Sequence, residues 1–112
     1  MPSTIQVYAL PGLRWRLRRW RYRHFGYPDE LKDAATLNYL LWRCWKSLRG
    51  TDGGVDMEYY RNFVFLMYKE TKKKGLDAKL PYFWYTNGPE IEWGAVSRVI
   101  EKVGYSVRTV PG

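Results

Sequence analysis

Six arginines fall within ten residues, Arg14, Arg16, Arg18, Arg19, Arg21 and Arg23, with Trp15, Leu17, Trp20 and Tyr22 threaded between them. A guanidinium neutralises a phosphate and grips its oxygens through a planar fork of N–H donors. An aromatic ring beside it offers a face on which an unpaired base can stack. That combination suits a nucleic-acid backbone. It also suits a protein interface, where Arg, Trp and Tyr carry most of the binding energy. Trp15, Trp20 and Tyr22 cannot all turn inward if the arginines are to stay wet, so at least one of them is expected near the surface.

Bond-making chemistry is harder to find. His24 is the lone histidine and lies among the arginines, whose charge lowers its affinity for a proton. It reads as a ring that packs or touches phosphate rather than as a base for a nucleophile. Asp52 and Asp56 flank Gly53-Gly54 without the alternating oxygen ligands of a calcium loop, and read as turn and cap residues. Cys44 is the only cysteine, so it closes no disulfide within the chain and builds no cysteine-based zinc site alone. Between Trp42 and Trp45 it reads as a small buried hydrophobe. Glu30-Leu31-Lys32 and Glu70-Thr71-Lys72 spell the Glu-x-Lys that some metal-dependent nucleases carry on a strand. Both fall in expected helices here, which makes a nuclease the lesser reading. Gly53-Gly54 lacks the lysine and hydroxyl pair of a phosphate-cradling loop. No catalytic residue, metal or cofactor is therefore expected.

The arginines dominate the charge balance. The chain of 112 residues carries a formal +8, and residues 1–28 hold six arginines and no acid. The rest has 13 Lys plus Arg against 11 Asp plus Glu, a balance of +2. A solvated face usually mixes both signs. An acid-free cationic segment raises the local concentration of phosphate polymers. The length suits one domain, residues 1–112, with the basic segment at about 13–24. At 46% hydrophobic residues a packed core is affordable. No apolar run approaches a membrane span, and no signal peptide is evident. An intracellular, cytoplasmic location without a membrane partner is expected, and the free cysteine fits a reducing compartment. A single glutamine among many charges is compatible with a thermophilic source.

Thr4 to Leu10 alternates as a strand with Ile5, Val7 and Ala9 on one face, and Pro11-Gly12 punctuates it. The arginine segment fits a helix, with Leu13, Leu17, Trp20 and His24 on one stripe. As a strand it would lose phase at Arg18-Arg19. A helix from an Asp29 or Asp33 cap to about Arg49 carries Leu37, Leu40, Leu41, Cys44, Trp45 and Leu48 inward. Gly50 follows as a stop, and residues 51–54 form a loop. Asp56 caps a helix from Met57 to about Lys74 that buries Tyr60, Phe63, Val64 and Met67. Lys72, Lys73 and Lys74 suit the negative end of its dipole, and Gly75 stops it. Leu80 to Tyr85 is extended and leads into a turn at Asn87-Gly88-Pro89. Pro89 is placed at the first position of a third helix with Trp93, Val96, Val99, Ile100 and Val103 inward. Gly104 ends it. Residues 105–110 form a final strand able to pair with residues 4–10.

The segment Leu80 to Pro89, ending in Tyr85-Thr86-Asn87-Gly88-Pro89 before a helix and a strand, resembles a group of small archaeal and phage-associated winged-helix proteins. The likeness spans about residues 34–110 and rests on one short motif plus element order. It implies an α+β winged-helix-like domain of three to four helices, with a short antiparallel sheet joining the terminal strands. It further implies a DNA-binding regulator or antitoxin of viral or plasmid type. The third helix would then be the recognition helix, exposing Ser97, Arg98, Glu101 and Lys102, with Arg108 on a short wing at 105–110. Glu90, Glu92 and Glu101 make that helix acidic, which is poor for a major groove. The arginine segment, which has no counterpart in the pattern, is thus expected to supply most phosphate contacts, to DNA rather than RNA. The alternative is an assembly module, with the same Arg and Trp residues contacting an acidic partner or a second copy.

Overall fold

In the computed structural model, which describes residues 3–49, 54–75, 79–86 and 88–111, Thr4–Ala9 forms strand β1. Its inward residues Ile5 and Val7 are buried, whereas Ala9 at its end is exposed. Strand β5, Tyr105–Val110, pairs antiparallel along its whole length, from Thr4 opposite Val110 to Ala9 opposite Tyr105. A two-residue strand β2, Val55–Asp56, adds to the other edge of β1, giving the order β2-β1-β5.

Three helices, α2 (Lys32–Leu48), α3 (Met57–Lys73) and α4 (Trp93–Ile100), pack against this sheet. The helix α1 (Leu13–Phe25) follows β1 and buries none of its residues. Among the described residues the result is an α+β domain with four α-helices, a small three-stranded antiparallel sheet and a two-stranded hairpin. The apolar stripe of α2 is inward as its spacing requires: Leu37, Leu40, Leu41, Cys44 and Trp45 are buried. Burial pushes the Cys44 thiol up to about 12, so it stays protonated near neutral pH. Tyr60 is fully enclosed, and its hydroxyl donates to the Leu41 carbonyl at 2.7 Å, tying α3 to α2.

Local rules and tertiary context disagree at four places. Neither Asp29 nor Asp33 caps α2. A short 3₁₀ turn at Asp29–Leu31 precedes it, and the Asp29 carboxylate goes to Lys32 at 2.8 Å. By contrast, Asp56 Oδ1 accepts from the Tyr59 amide at 2.9 Å, the expected cap of α3. Pro89 does not open a helix. It lies in strand β4, Gly88–Ile91, paired antiparallel with β3, Tyr82–Tyr85, so that α4 begins only at Trp93. Once that hairpin forms, it lies beside α3 and changes which residues are inward. Phe65 and Tyr68 become buried against it, while Met67 is 38% exposed. Finally, β5 is bound to β1 throughout and projects no free wing. The expected stop at Gly50, most of the loop at 51–54, and Asn87 of the turn lie outside the described residues.

Candidate nucleic-acid interface

Arginine and leucine favour helix, and α1 holds from Leu13 to Phe25 between two glycines. Gly26 adopts φ +81°, a conformation a side chain would oppose, and returns its N–H to the Tyr22 carbonyl at 2.8 Å. Arg23 occupies the last turn, where a cation complements the dipole.

Successive helical residues are 100° apart, so α1 divides into faces. Trp15, Arg19 and Tyr22 share the side that is half-buried against the domain. Arg19 anchors it. Its Nη1 donates to the Leu10 carbonyl at 2.9 Å and to the Gly104 carbonyl at 2.7 Å. Its guanidinium also lies 5.5 Å from the centre of the Tyr105 ring. Arg19 is thus engaged at the end of the β1–β5 ladder, unlike its neighbours. Tyr22 stacks on Tyr27 with ring centres 5.0 Å apart.

The opposite side faces solvent. Leu13, Leu17, Trp20 and Phe25 are between 53% and 78% exposed, so the stripe that begins at Leu13 points away from the core. Trp20 lies 4.6 Å from the His24 ring. Arg14, Arg18 and Arg21 flank this stripe on one side, and Arg16 and Arg23 on the other; all five are exposed. Arg18 sits over the Trp15 ring at 5.2 Å. Among the described residues no arginine of α1 forms an ion pair with a carboxylate; the ion pairs there involve Lys32, Arg61 and Lys73.

The remaining expected contacts do not converge on one patch. Ser97 is not displayed by α4. Its hydroxyl lies 2.8 Å from the Ser106 hydroxyl and 3.1 Å from the Val107 carbonyl, which accepts from it, turning it toward β5. Arg98 and Lys102 are exposed, as is Glu101. Lys102 stands two residues before Gly104 and so at the α1 end of the sheet. Arg108 is exposed, but its Nε and Nη2 donate to Gln6 Oε1 at 3.0 and 2.8 Å, and it lies over the Tyr8 ring at 5.3 Å.

Sequence reasoning passed over the aromatic surface of β3, treating it as a path into a turn. Tyr82, Phe83, Trp84 and Tyr85 are all exposed. The Asn87-Gly88 pair marked a turn nearby, but Gly88 lies in β4 opposite Tyr85, one position off the turn centre that such a pair usually occupies. Among the described residues, no three His, Cys, Asp or Glu side chains gather as metal ligands, and no helix is long and apolar enough to cross a membrane. No protein-family model matches the chain, and no curated protein or solved structure does.

Proposed function

We propose that this chain is a nucleic-acid-binding module that meets the phosphate backbone with α1, with DNA as the expected polymer. One observation carries the proposal: five exposed arginines line α1 without a carboxylate partner among the described residues. Guanidinium groups held on a regular helix and left uncompensated form a cationic rod, and each can displace a counterion from DNA. The packing of α2, α3 and α4 against a three-stranded antiparallel sheet supports only the helical part of a winged-helix-like build, since β5 pairs along β1 instead of forming a wing. In this reading α4 contributes little base recognition. Ser97 is turned inward, and Arg98 and Lys102 stand beside Glu101. The module accordingly positions itself through phosphates and discriminates weakly among sequences.

The test is a salt titration of binding to duplex DNA, single-stranded DNA and RNA. Five arginines acting on duplex phosphates give a log–log slope of about −4 to −5, from about −0.9 per phosphate. An affinity that stays flat from low to high salt would remove the proposal.

A second reading has its own observation. Leu13, Leu17 and Trp20 form an apolar strip between the arginine rows, with exposed Phe25 beside Trp20 at the helix end, which no phosphate backbone satisfies. Such a strip suits an assembly role, in which an acidic partner or a second copy covers it. On that reading the wild-type chain sediments as an oligomer in high salt, where arginine repulsion is screened. Leu17→Ser combined with Trp20→Ser then returns it to monomer. A wild-type chain that is monomeric at every salt concentration rules out self-assembly through this face.

A further inference from the structure

We propose that the β3–β4 hairpin, together with the lysines of α3 beside it, is a second contact surface that stacks the bases of an unpaired nucleic-acid strand. The proposal rests on the nucleic-acid reading above and adds the form of substrate.

Four consecutive aromatic residues on an exposed strand are a costly arrangement unless something uses them. Trp84 and Tyr85 are each 65% exposed. Both rings nonetheless have aromatic neighbours that hold them, Trp84 on α3 and Tyr85 along its own strand. Tyr82 and Trp84 stand nearly perpendicular to Phe65 of α3, with ring centres 5.1 and 6.0 Å apart, and on the other face of the strand Phe83 stands nearly perpendicular to Tyr85 at 6.2 Å. Rings held in place by such contacts and still two-thirds exposed offer fixed apolar area on which a base can stack.

Charge completes the surface. The Lys69 ammonium lies 4.9 Å from the centre of the Phe65 ring, and Lys72 lies 5.1 Å from that of Tyr68, so cations border the aromatic cluster one helical turn apart. Residues 69–79 hold five lysines against two acids. Glu90, the cross-strand partner of Phe83, is engaged by Arg61 and so repels a phosphate less. In a duplex the base faces are already stacked on one another, so this surface has value only for bases that are unpaired. It differs in kind from α1, whose arginines need only phosphates.

The test compares the wild-type chain with Trp84→Ala/Tyr85→Ala by fluorescence anisotropy, using a labelled oligothymidylate of about 12 nucleotides and a duplex of the same length. The variant is expected to bind the single strand about 10- to 100-fold more weakly and the duplex within about twofold of wild type. Lys69→Gln weakens single-strand binding less and lowers its salt slope by about 0.7. Trp84→Leu/Tyr85→Leu keeps the apolar bulk but lacks the aromatic faces. It should show the same selective loss, and it replaces the alanine variant if that fails to fold by circular dichroism. Unchanged single-strand affinity, or equal loss on both polymers, overturns the proposal. So does an unchanged affinity accompanied by a shift from oligomer to monomer, which would make β3 a contact between copies. If duplex binding persists while the hairpin variants bind single strands like wild type, only this inference fails. If the wild-type chain binds neither polymer, the nucleic-acid reading fails with it.

Discussion

Changing Arg14, Arg16, Arg18, Arg21 and Arg23 together to glutamine is expected to cut duplex DNA affinity by about two to three orders of magnitude at moderate salt. The estimate follows from counterion release. Five phosphate contacts contribute about 4 to 5 to the slope of log affinity against log salt, and this slope disappears with them. The formal charge falls from +8 to +3, so long-range attraction weakens as well. Glutamine is nearly as good a helix former as arginine, so α1 should persist. None of the five arginines holds a backbone carbonyl or a carboxylate among the described residues, and Arg18 alone of them lies over a ring, that of Trp15. The measurement is anisotropy at several salt concentrations, with circular dichroism to establish that the fold survives. A variant that binds with wild-type affinity and slope would show that α1 is not the phosphate contact.

The contrasting pair is Arg98→Gln and Lys102→Gln on and just after α4. With Glu92 and Glu101 exposed nearby, these cations work against local carboxylates. Their joint removal should cost far less than the α1 set. An equal or larger loss would move the interface to α4 and return it to the role of a recognition helix.

What the sequence made legible were the features governed by near neighbours in the chain. The Asp56 cap, the α2 stripe from Leu37 to Trp45 and the pairing of residues 4–9 with 105–110 each follow from a period or a single capping oxygen. The arginine segment is a helix because a strand would lose phase at Arg18-Arg19. The hairpin was illegible for a physical reason. Pro89 is a good first residue of a helix, and that local preference pointed the wrong way. What decided its state was the pairing of β3 with β4 and the packing of β3 on Phe65, about 20 residues away. Ser97 was misplaced for a similar reason, because its partners Ser106 and Val107 are set by how β5 lies along α4. The division of α1 into an anchored and an open side was also out of reach. A row of alternating arginines looks the same on both sides until one of them finds a carbonyl.

Arg19 is that arginine, and Arg19→Ala is expected to destabilise the fold by about 2–4 kcal/mol, read from urea unfolding. Its Nη1 serves the carbonyls of Leu10 and Gly104 together, and the latter is 85 positions away in the chain. Hydrogen bonds from a charged donor contribute about 1.5–3 kcal/mol each, and partial burial places the pair toward the lower end. Few other ties hold α1, which buries no residue of its own. Its amides at residues 13–25 should therefore exchange much faster in the variant through local release of the helix, while those of α2 speed up only as far as the loss of global stability requires. Gly104 supplies an independent check from the other side of the contact. Its φ is +91°, and a Cβ there would approach Arg19 Cγ to 3.0 Å. Gly104→Ala thus adds about 1–2 kcal/mol of backbone strain and displaces the same side chain. Because both changes break one contact, the double variant should lose less than the two single losses combined. Full additivity, or unaltered exchange in α1 after Arg19→Ala, would mean that the helix is held by Trp15 and Tyr22 instead. If Arg19 is the latch, DNA affinity in Arg19→Ala falls only modestly, since all five solvent-facing arginines remain and only the rigidity of their helix is lost.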